Sequence, residues 1–256
     1  MDYAVVVKGL SKQFYRYHAD RPWTLHETLV KGLRCLQPAE RFWALDDVTF
    51  NIAPGRAVGV IGSNGSGKST LLRLIGGVGR PDKGYVTVSQ RISGLLDLGT
   101  GFHPELTGRE NVFVNGVISG LSRREVAKQF DEIVAFAELE SFIDNPIRTY
   151  STGMQMRLGF AIAVHAKPEL LLIDEILSVG DHSFQRKCLD RIARFKAEGC
   201  TILIVSHDTR QICEYCDEAL WLNHGRLMLH NTPDVVAKQY ISHMDSHRSL
   251  SVEQAP

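Results

Sequence analysis

Residues Gly62 to Thr70 read GSNGSGKST and follow directly on the apolar run Ala57 to Ile61, AVGVI. The pattern G-x-x-x-x-G-K-[ST], set between a predicted strand and a predicted helix opened by Ser69, Thr70, Leu71, Leu72 and Leu74, is a phosphate-binding loop. Gly62, Gly65 and Gly67 carry no Cβ, so the backbone N–H groups along Ser63, Asn64 and Ser66 can close around a polyphosphate. The helix that follows turns its positive end toward the same charge. Lys68 is expected to reach the β and γ phosphates, and the Ser69 hydroxyl to ligate Mg²⁺. Nucleotide binding is therefore the premise, and what the nucleotide drives is the question.

Composition narrows the answers. The chain has 256 residues, 44% hydrophobic and 23% charged, the make-up of an ordinary globular protein with a substantial core. Lys plus Arg and Asp plus Glu both number 29, so the net charge is zero, which argues against a general nucleic-acid partner. Apolar runs such as Leu170 to Ile173 and Phe160 to Val164 are too short to cross a bilayer. The N-terminus, MDYAVVVKGL, has no basic stretch ahead of its apolar part, so no secretion signal is expected. Five cysteines at irregular spacing, Cys35, Cys188, Cys200, Cys213 and Cys216, are expected to be free thiols in a reducing, cytoplasmic compartment. Cys213 and Cys216 form a CxxC, but within a helical-looking stretch and with no second cysteine pair to complete a metal site.

Outward from the loop, the pattern is α/β. Val5 to Leu10 reads as a strand, Ser11-Lys12-Gln13 as a turn, and Phe14 and Tyr15 then follow. One of these aromatics either stacks on adenine, satisfying a base without reading its edge, or packs in the core. Thr24-Leu25-His26-Glu27 has capping-box spacing, and Leu25, Leu29, Leu33 and Leu36 recur at helical spacing up to Pro38. This amphipathic helix, about residues 24–37, either lies on its own domain or offers a docking surface for a partner or a membrane headgroup layer. Trp43 to Ile52, Tyr85 to Val88 and Ile92 to Leu96 are predicted strands. Residues 97–165 turn helical, with a capping box at Ser122 and Glu125, and suggest an inserted helical subdomain. Glu169 to Ile173 and Thr201 to Val205 are buried strands separated by a helix from Asp181 to Glu198. Leu220 to Leu229 reads as a hairpin, Pro233 to Ile241 as the last helix, and residues 242–256 as a disordered polar tail. Strands alternating with helices predict a mainly parallel sheet with ligands at its carboxyl edge.

That edge collects the chemistry. Asp174 ends a four-residue apolar run and is suited to hold Mg²⁺ directly or through water. Glu175 beside it can orient or deprotonate an attacking water, and His207, after the next buried strand, can donate to a γ-phosphate. Tyr150-Ser151-Thr152-Gly153-Met154 opens the apolar helix Leu158 to Val164, giving a second helix N-terminus and a second anion site. A second such site has a use when it faces another molecule's nucleotide.

With these motifs in hand, the sequence resembles the nucleotide-binding subunit of an ATP-binding cassette (ABC) transporter over roughly Val5 to Tyr240. The resemblance implies a P-loop NTPase (RecA-like) core, with an antiparallel N-terminal β subdomain and an inserted helical one, spanning residues 1–241. YSTGM is similar to the family signature usually written LSGGQ, with Ser151 and Gly153 in the key places and Tyr150, Thr152 and Met154 departing from it. Ser178 to Asp181 resembles the D-loop, His207 the switch histidine and Phe14 the adenine-stacking aromatic. Asp97 stands where the family places a glutamine, which makes it a candidate Mg²⁺ or water contact. Within the family, Gly94 to Asn111 and the YSTGM signature resemble the branch that exports lipid-linked polysaccharides such as O-antigens and teichoic acids. The resemblance implies ATP and Mg²⁺ as ligands, a homodimer with ATP between Lys68, Ser69, Asp174, Glu175 and His207 of one copy and Ser151 and Gly153 of the other, and no nucleic-acid partner. It also implies a polytopic transmembrane permease, a lipid-linked glycan cargo, and a peripheral location on the cytoplasmic face of the inner membrane. Some members carry a C-terminal carbohydrate-binding domain, and with Pro256 as its last residue this chain is not expected to recognise the glycan end.

Two other classes share parts of the pattern. A soluble P-loop phosphotransferase has no reason to carry YSTGM ahead of a helix, and a chromosome-maintenance ATPase would place a long heptad arm between Lys68 and Asp174, where no heptad run occurs.

Overall fold

In the computed structural model, residues 2–16, 40–95, 101–174 and 182–252 are described. The predicted helix at 24–37 lies outside them, as do Asp97, Glu175 and Asp181. Among the described residues two sheets form. One is three-stranded and antiparallel, in the order β2 (Glu40–Ile52), β1 (Val5–Arg16), β4 (Lys83–Val88). The other has six strands, in the order β5 (Ile92–Leu95), β6 (Leu170–Asp174), β7 (Thr201–Val205), β3 (Ala57–Ile61), β8 (Glu218–Asn223), β9 (Arg226–Asn231). All its pairings are parallel except the closing β8–β9 hairpin.

The parallel strands read as unbroken apolar runs because both faces of their sheet are covered. On one face lies α1 (Lys68–Ile75), whose Leu71, Leu72 and Ile75 share a core with Val58, Val60, Leu172, Leu203 and, from the three-stranded sheet, Val5, Val7 and Leu10. On the other lie α4 (Thr152–His165) and α5 (His182–Ala197), packed through Phe160, Val164, Phe184 and Ile192 on Leu171, Ile173 and Ile202. Phe160 and Phe184 meet edge to face at 6.2 Å and are fully buried, so truncating either to Ala would cost about 3–5 kcal/mol. The helical subdomain comprises α2 (Gly108–Ile118), α3 (Arg123–Ala137) and α4, around Val112, Val126, Ile133 and Leu158.

Both α2 and α3 start with a capping box. Ser122 and Glu125 form the predicted one, and Thr107 with Glu110 forms another with the same four-residue signal, T-G-R-E.

Three boundaries differ from expectation. β1 does not stop at Leu10: it runs through Ser11-Lys12-Gln13 to Arg16, paired all the way to Glu40. Register shifts between Val7 and Gln13 absorb the polar residues inside the ladder, and buried Ser11 offers its hydroxyl oxygen to the Asp47 N–H at 3.0 Å. β2 accordingly begins at Glu40 and not at Trp43. The third correction is the tail. The last helix, α7 (Pro233–Val252), with α6 (Thr209–Tyr215) before it, continues through residues 242–252, where no Gly or Pro interrupts it and the Ser242 and Ser246 hydroxyls donate to carbonyl oxygens four residues back.

Candidate nucleotide site

β3 is buried along its whole length and delivers the chain into the phosphate loop at Gly62. A Cβ on Gly62 would stand 2.5 Å from the Ser66 hydroxyl, so no side chain fits there. Gly67 caps α1 with φ 104°, a left-handed conformation, and a Cβ on it would collide with the Ala44 carbonyl oxygen of β2. α1 has no capping side chain and no acidic residue in its first turn, so its N–H groups and positive dipole end are left for an anion. Asn64, Gly65 and Ser69 are exposed around that end, and nothing stands within 4 Å of where a Gly65 side chain would begin. Lys68 is buried and folds back over the loop, its Nζ donating to the Gly62 and Ser63 carbonyl oxygens at 2.8 and 3.0 Å. Its ammonium is thereby held against the start of the loop.

The loop is braced from the far end of the sequence. The Gly225 N–H, in the turn between β8 and β9, donates to the Ser66 carbonyl at 3.0 Å, and the Gly225 carbonyl accepts from the Asp46 N–H at 2.9 Å. The Arg226 guanidinium pairs with the Asp46 carboxylate at 2.7 Å. No local sequence signal marks these braces, because they join residues far apart in the chain.

Sheet register brings in the second half. Asp174 is level with Val205 on β7, and Val205 with Val60 on β3, so the three lie in one row across adjacent strands, about 4.8 Å from one to the next. The phosphate loop leaves β3 just beyond this row, and His207 stands two residues beyond Val205 on a turn fixed by its neighbours. The Ser206 N–H donates to the Val60 carbonyl, the Ser206 hydroxyl oxygen accepts from the Asp208 N–H, and Asp208 caps α6. Lys68, Asp174 and His207 are thus brought to one carboxyl edge, with His207 exposed.

The Tyr150 to Met154 turn belongs to the helical subdomain. Ser151 caps α4, its hydroxyl oxygen accepting from the Met154 N–H at 3.2 Å, and is itself exposed. Gly153 has room around it, the nearest atom to an added Cβ being the Ser151 hydroxyl at 3.8 Å. Tyr150 is the anchor: its hydroxyl donates to the Phe142 carbonyl at 2.7 Å and sits against Gly108, where a Cβ would collide with it. Burial, aided by the Asp144 charge, pushes the Tyr150 phenol up to about 12, so it stays a donor at physiological pH.

For Phe14 and Tyr15 the core-packing alternative fails. Both are exposed, Phe14 facing Phe42 across the β1–β2 ladder and Tyr15 lying under the Arg41 guanidinium. Cys213 is exposed and Cys216 buried, both as free thiols, and burial pushes the Cys216 thiol up to about 12. Among the described residues no helix is long and apolar enough to cross a membrane.

Residues 45–178 match the sequence model of the ABC transporter domain. The chain belongs to the ABC transporter family. The sheets and helices above are the P-loop NTPase fold of that family. It is 44% identical over 241 residues to an O-antigen export system ATP-binding protein, RfbB, of Myxococcus xanthus, covering 93% of this chain and 55% of that protein. It is 48% identical over 192 residues to the RfbB of Klebsiella pneumoniae, covering 75% of this chain and 78% of the relative. This chain therefore spans about half the length of the Myxococcus protein and most of the Klebsiella one. In fold, it superposes on the dimeric structure of an ATP-binding cassette in a post-hydrolysis state, bound to ADP and phosphate, with a TM-score of 0.71, 23% identity, and coverage of 90% of this chain and 98% of that one.

Proposed function

We propose that this ABC ATPase powers export of a lipid-linked polysaccharide, an O-antigen-like glycan, through a separate polytopic transmembrane subunit, while bound peripherally at the cytoplasmic face of the inner membrane. The observation that carries the mechanism is the contrast between a braced phosphate loop at one end of the chain's site and an exposed signature turn at the other. Such a pair is complete only when two copies meet head to tail. The cargo follows from relatives named for O-antigen export at 44% and 48% identity.

In this reading Gly62 to Thr70 hold the triphosphate, with Lys68 neutralising the β and γ oxygens and the α1 dipole adding to it. The exposed Ser69 hydroxyl and the Asp174 carboxylate are hard oxygen donors of the kind Mg²⁺ takes, with Asp97 a further candidate outside the described residues. Bound there, Mg²⁺ would neutralise charge on the β and γ phosphates. Glu175, directly after Asp174, orients and deprotonates the attacking water, and His207 donates to the γ-phosphate. Ser151 and Gly153 of a second copy close over the same phosphates, and Asp181 lines the seam between the copies. ATP binding then closes the dimer and hydrolysis reopens it. The Gly101 to Asn111 region and the helical subdomain pass the movement to the permease.

Glu175→Gln is expected to bind ATP but to lose turnover, measured as phosphate release. Retained turnover would overturn the assignment of Glu175. Co-purification from membranes with a tag on this chain is expected to bring down a polytopic partner carrying a polyprenyl-linked glycan. A preparation free of any membrane partner would overturn the transporter reading, and a different bound polymer, such as a teichoic acid, would replace the O-antigen cargo.

A further inference from the structure

At the outer end of the β1–β2 ladder two large apolar rings stand in solvent side by side. Phe14 and Phe42 are directly opposed across the strands, 41% and 46% exposed, with ring centroids 6.2 Å apart and planes inclined by 32°. A cross-strand aromatic pair contributes about 0.2–1 kcal/mol, less than the roughly 1.5–3 kcal/mol that full burial of one such side chain would supply. Folding alone therefore does not account for leaving both rings uncovered.

Their position does. Ala44, two residues on from Phe42, sets its carbonyl oxygen against Gly67, the cap of α1, and against Gly225, the brace of the phosphate loop. Two residues of strand span at most about 7 Å, so the Phe42 backbone lies within that distance of the residue whose carbonyl touches both glycines of the loop and its brace. We propose that Phe42 is a base-binding residue that forms, with Phe14, a two-ring floor for the adenine of ATP. This rests on the ATPase reading above, in which Phe14 is the stacking aromatic and Phe42 has no role. The rings are floor and not jaws, because a base held between them needs two stacking contacts of about 3.5 Å, or about 7 Å, more than the 6.2 Å between the centroids. A purine, with two fused rings, is broad enough to lie across both.

The test is equilibrium binding of ATP and of inorganic triphosphate to the whole chain, by calorimetry, for the wild type, Phe42→Ala, Phe42→Leu, Phe42→Tyr and Lys68→Ala. Phe42→Ala is expected to weaken ATP binding about fivefold or more and to leave triphosphate within about twofold. Phe42→Leu, which keeps apolar bulk without a ring, should lose ATP affinity in the same way, and Phe42→Tyr should retain it. Unchanged ATP affinity in Phe42→Ala and Phe42→Leu would overturn the proposal, and so would a parallel loss of ATP and triphosphate, the mark of a disturbed loop. Failure of the underlying reading is seen separately: Lys68→Ala would then bind ATP as the wild type does, and the two-ring floor would fall with it.

Discussion

The phosphate loop and the signature turn each open a helix, yet they are built in opposite ways. The loop is braced by its own chain: Gly225 holds Ser66, Ala44 covers Gly67, and Lys68 is folded inward onto two carbonyls. At the signature turn only Tyr150 is anchored, while Ser151 lies exposed and Gly153 has open space beside it. One half of the site is finished within a single chain, and the other is a surface shaped for contact. On the proposed head-to-tail arrangement, a chain of this design would bind nucleotide alone but need a second copy to act on it.

The most severe way to break this contrast is at the finished half. Lys68→Ala should lower steady-state phosphate release about 100-fold or more, because it removes the charge that stabilises the transferring phosphoryl group. Gly153→Asp attacks the other half. The site has room for the new Cβ, so the chain should fold and bind ATP as a monomer, while hydrolysis falls about 10- to 100-fold and the ATP-dependent dimer disappears from size-exclusion chromatography. If monomeric binding fell as well, the two halves would not be separable.

Smaller effects sharpen how each half is held. Gly67→Ala meets both a left-handed backbone and the Ala44 carbonyl, and should cost about 1–3 kcal/mol, seen as a fall in Tm of about 2–12 °C. Tyr150→Phe removes one hydrogen bond and should cost about 1 kcal/mol. It also carries a pH signature. The folded phenol titrates at about 12, above the usual tyrosine value near 10, so its stabilising contribution is complete below about pH 10 and is lost as pH rises through about 12. Chemical denaturation over that window should show a steeper loss for the wild type than for Tyr150→Phe. The smallest change expected is for Arg226→Ala, an exposed ion pair with Asp46, worth at most about 1 kcal/mol.

What the sequence discloses follows the same division. The loop, the Asp174 strand end and the Ser151 turn are legible because their chemistry demands fixed residues at fixed local spacing. The six-stranded sheet is legible from its apolar runs, β7 to the residue. β1 extends beyond its expected end at Leu10 because Ser11-Lys12-Gln13 resembles a turn in sequence, whereas pairing with a distant strand carries the polar residues through a bulge. α7 extends beyond its expected end at Ile241 because a polar run resembles a tail in sequence, whereas polar residues can continue a helix already anchored by Val236 and Ala237. Neither the bracing of the loop by Gly225 nor the pairing of Phe14 with Phe42 is written in any window of sequence, since both arise only when strands from distant segments come together.

The brace at Gly225 has a consequence for how the protein is made. β3, which feeds the loop, is flanked by β7 and β8, and the loop's own support comes from the turn after β8. A nascent chain that has emerged as far as Ile75 therefore displays the whole phosphate-loop motif, with β3 and the Ala44 carbonyl beside Gly67, but neither of the strands that flank β3 nor the Gly225 brace. The full bracing of the loop is therefore complete only late in synthesis, after the chain has passed Gly225, so that bound nucleotide would stabilise completed molecules more than partial ones.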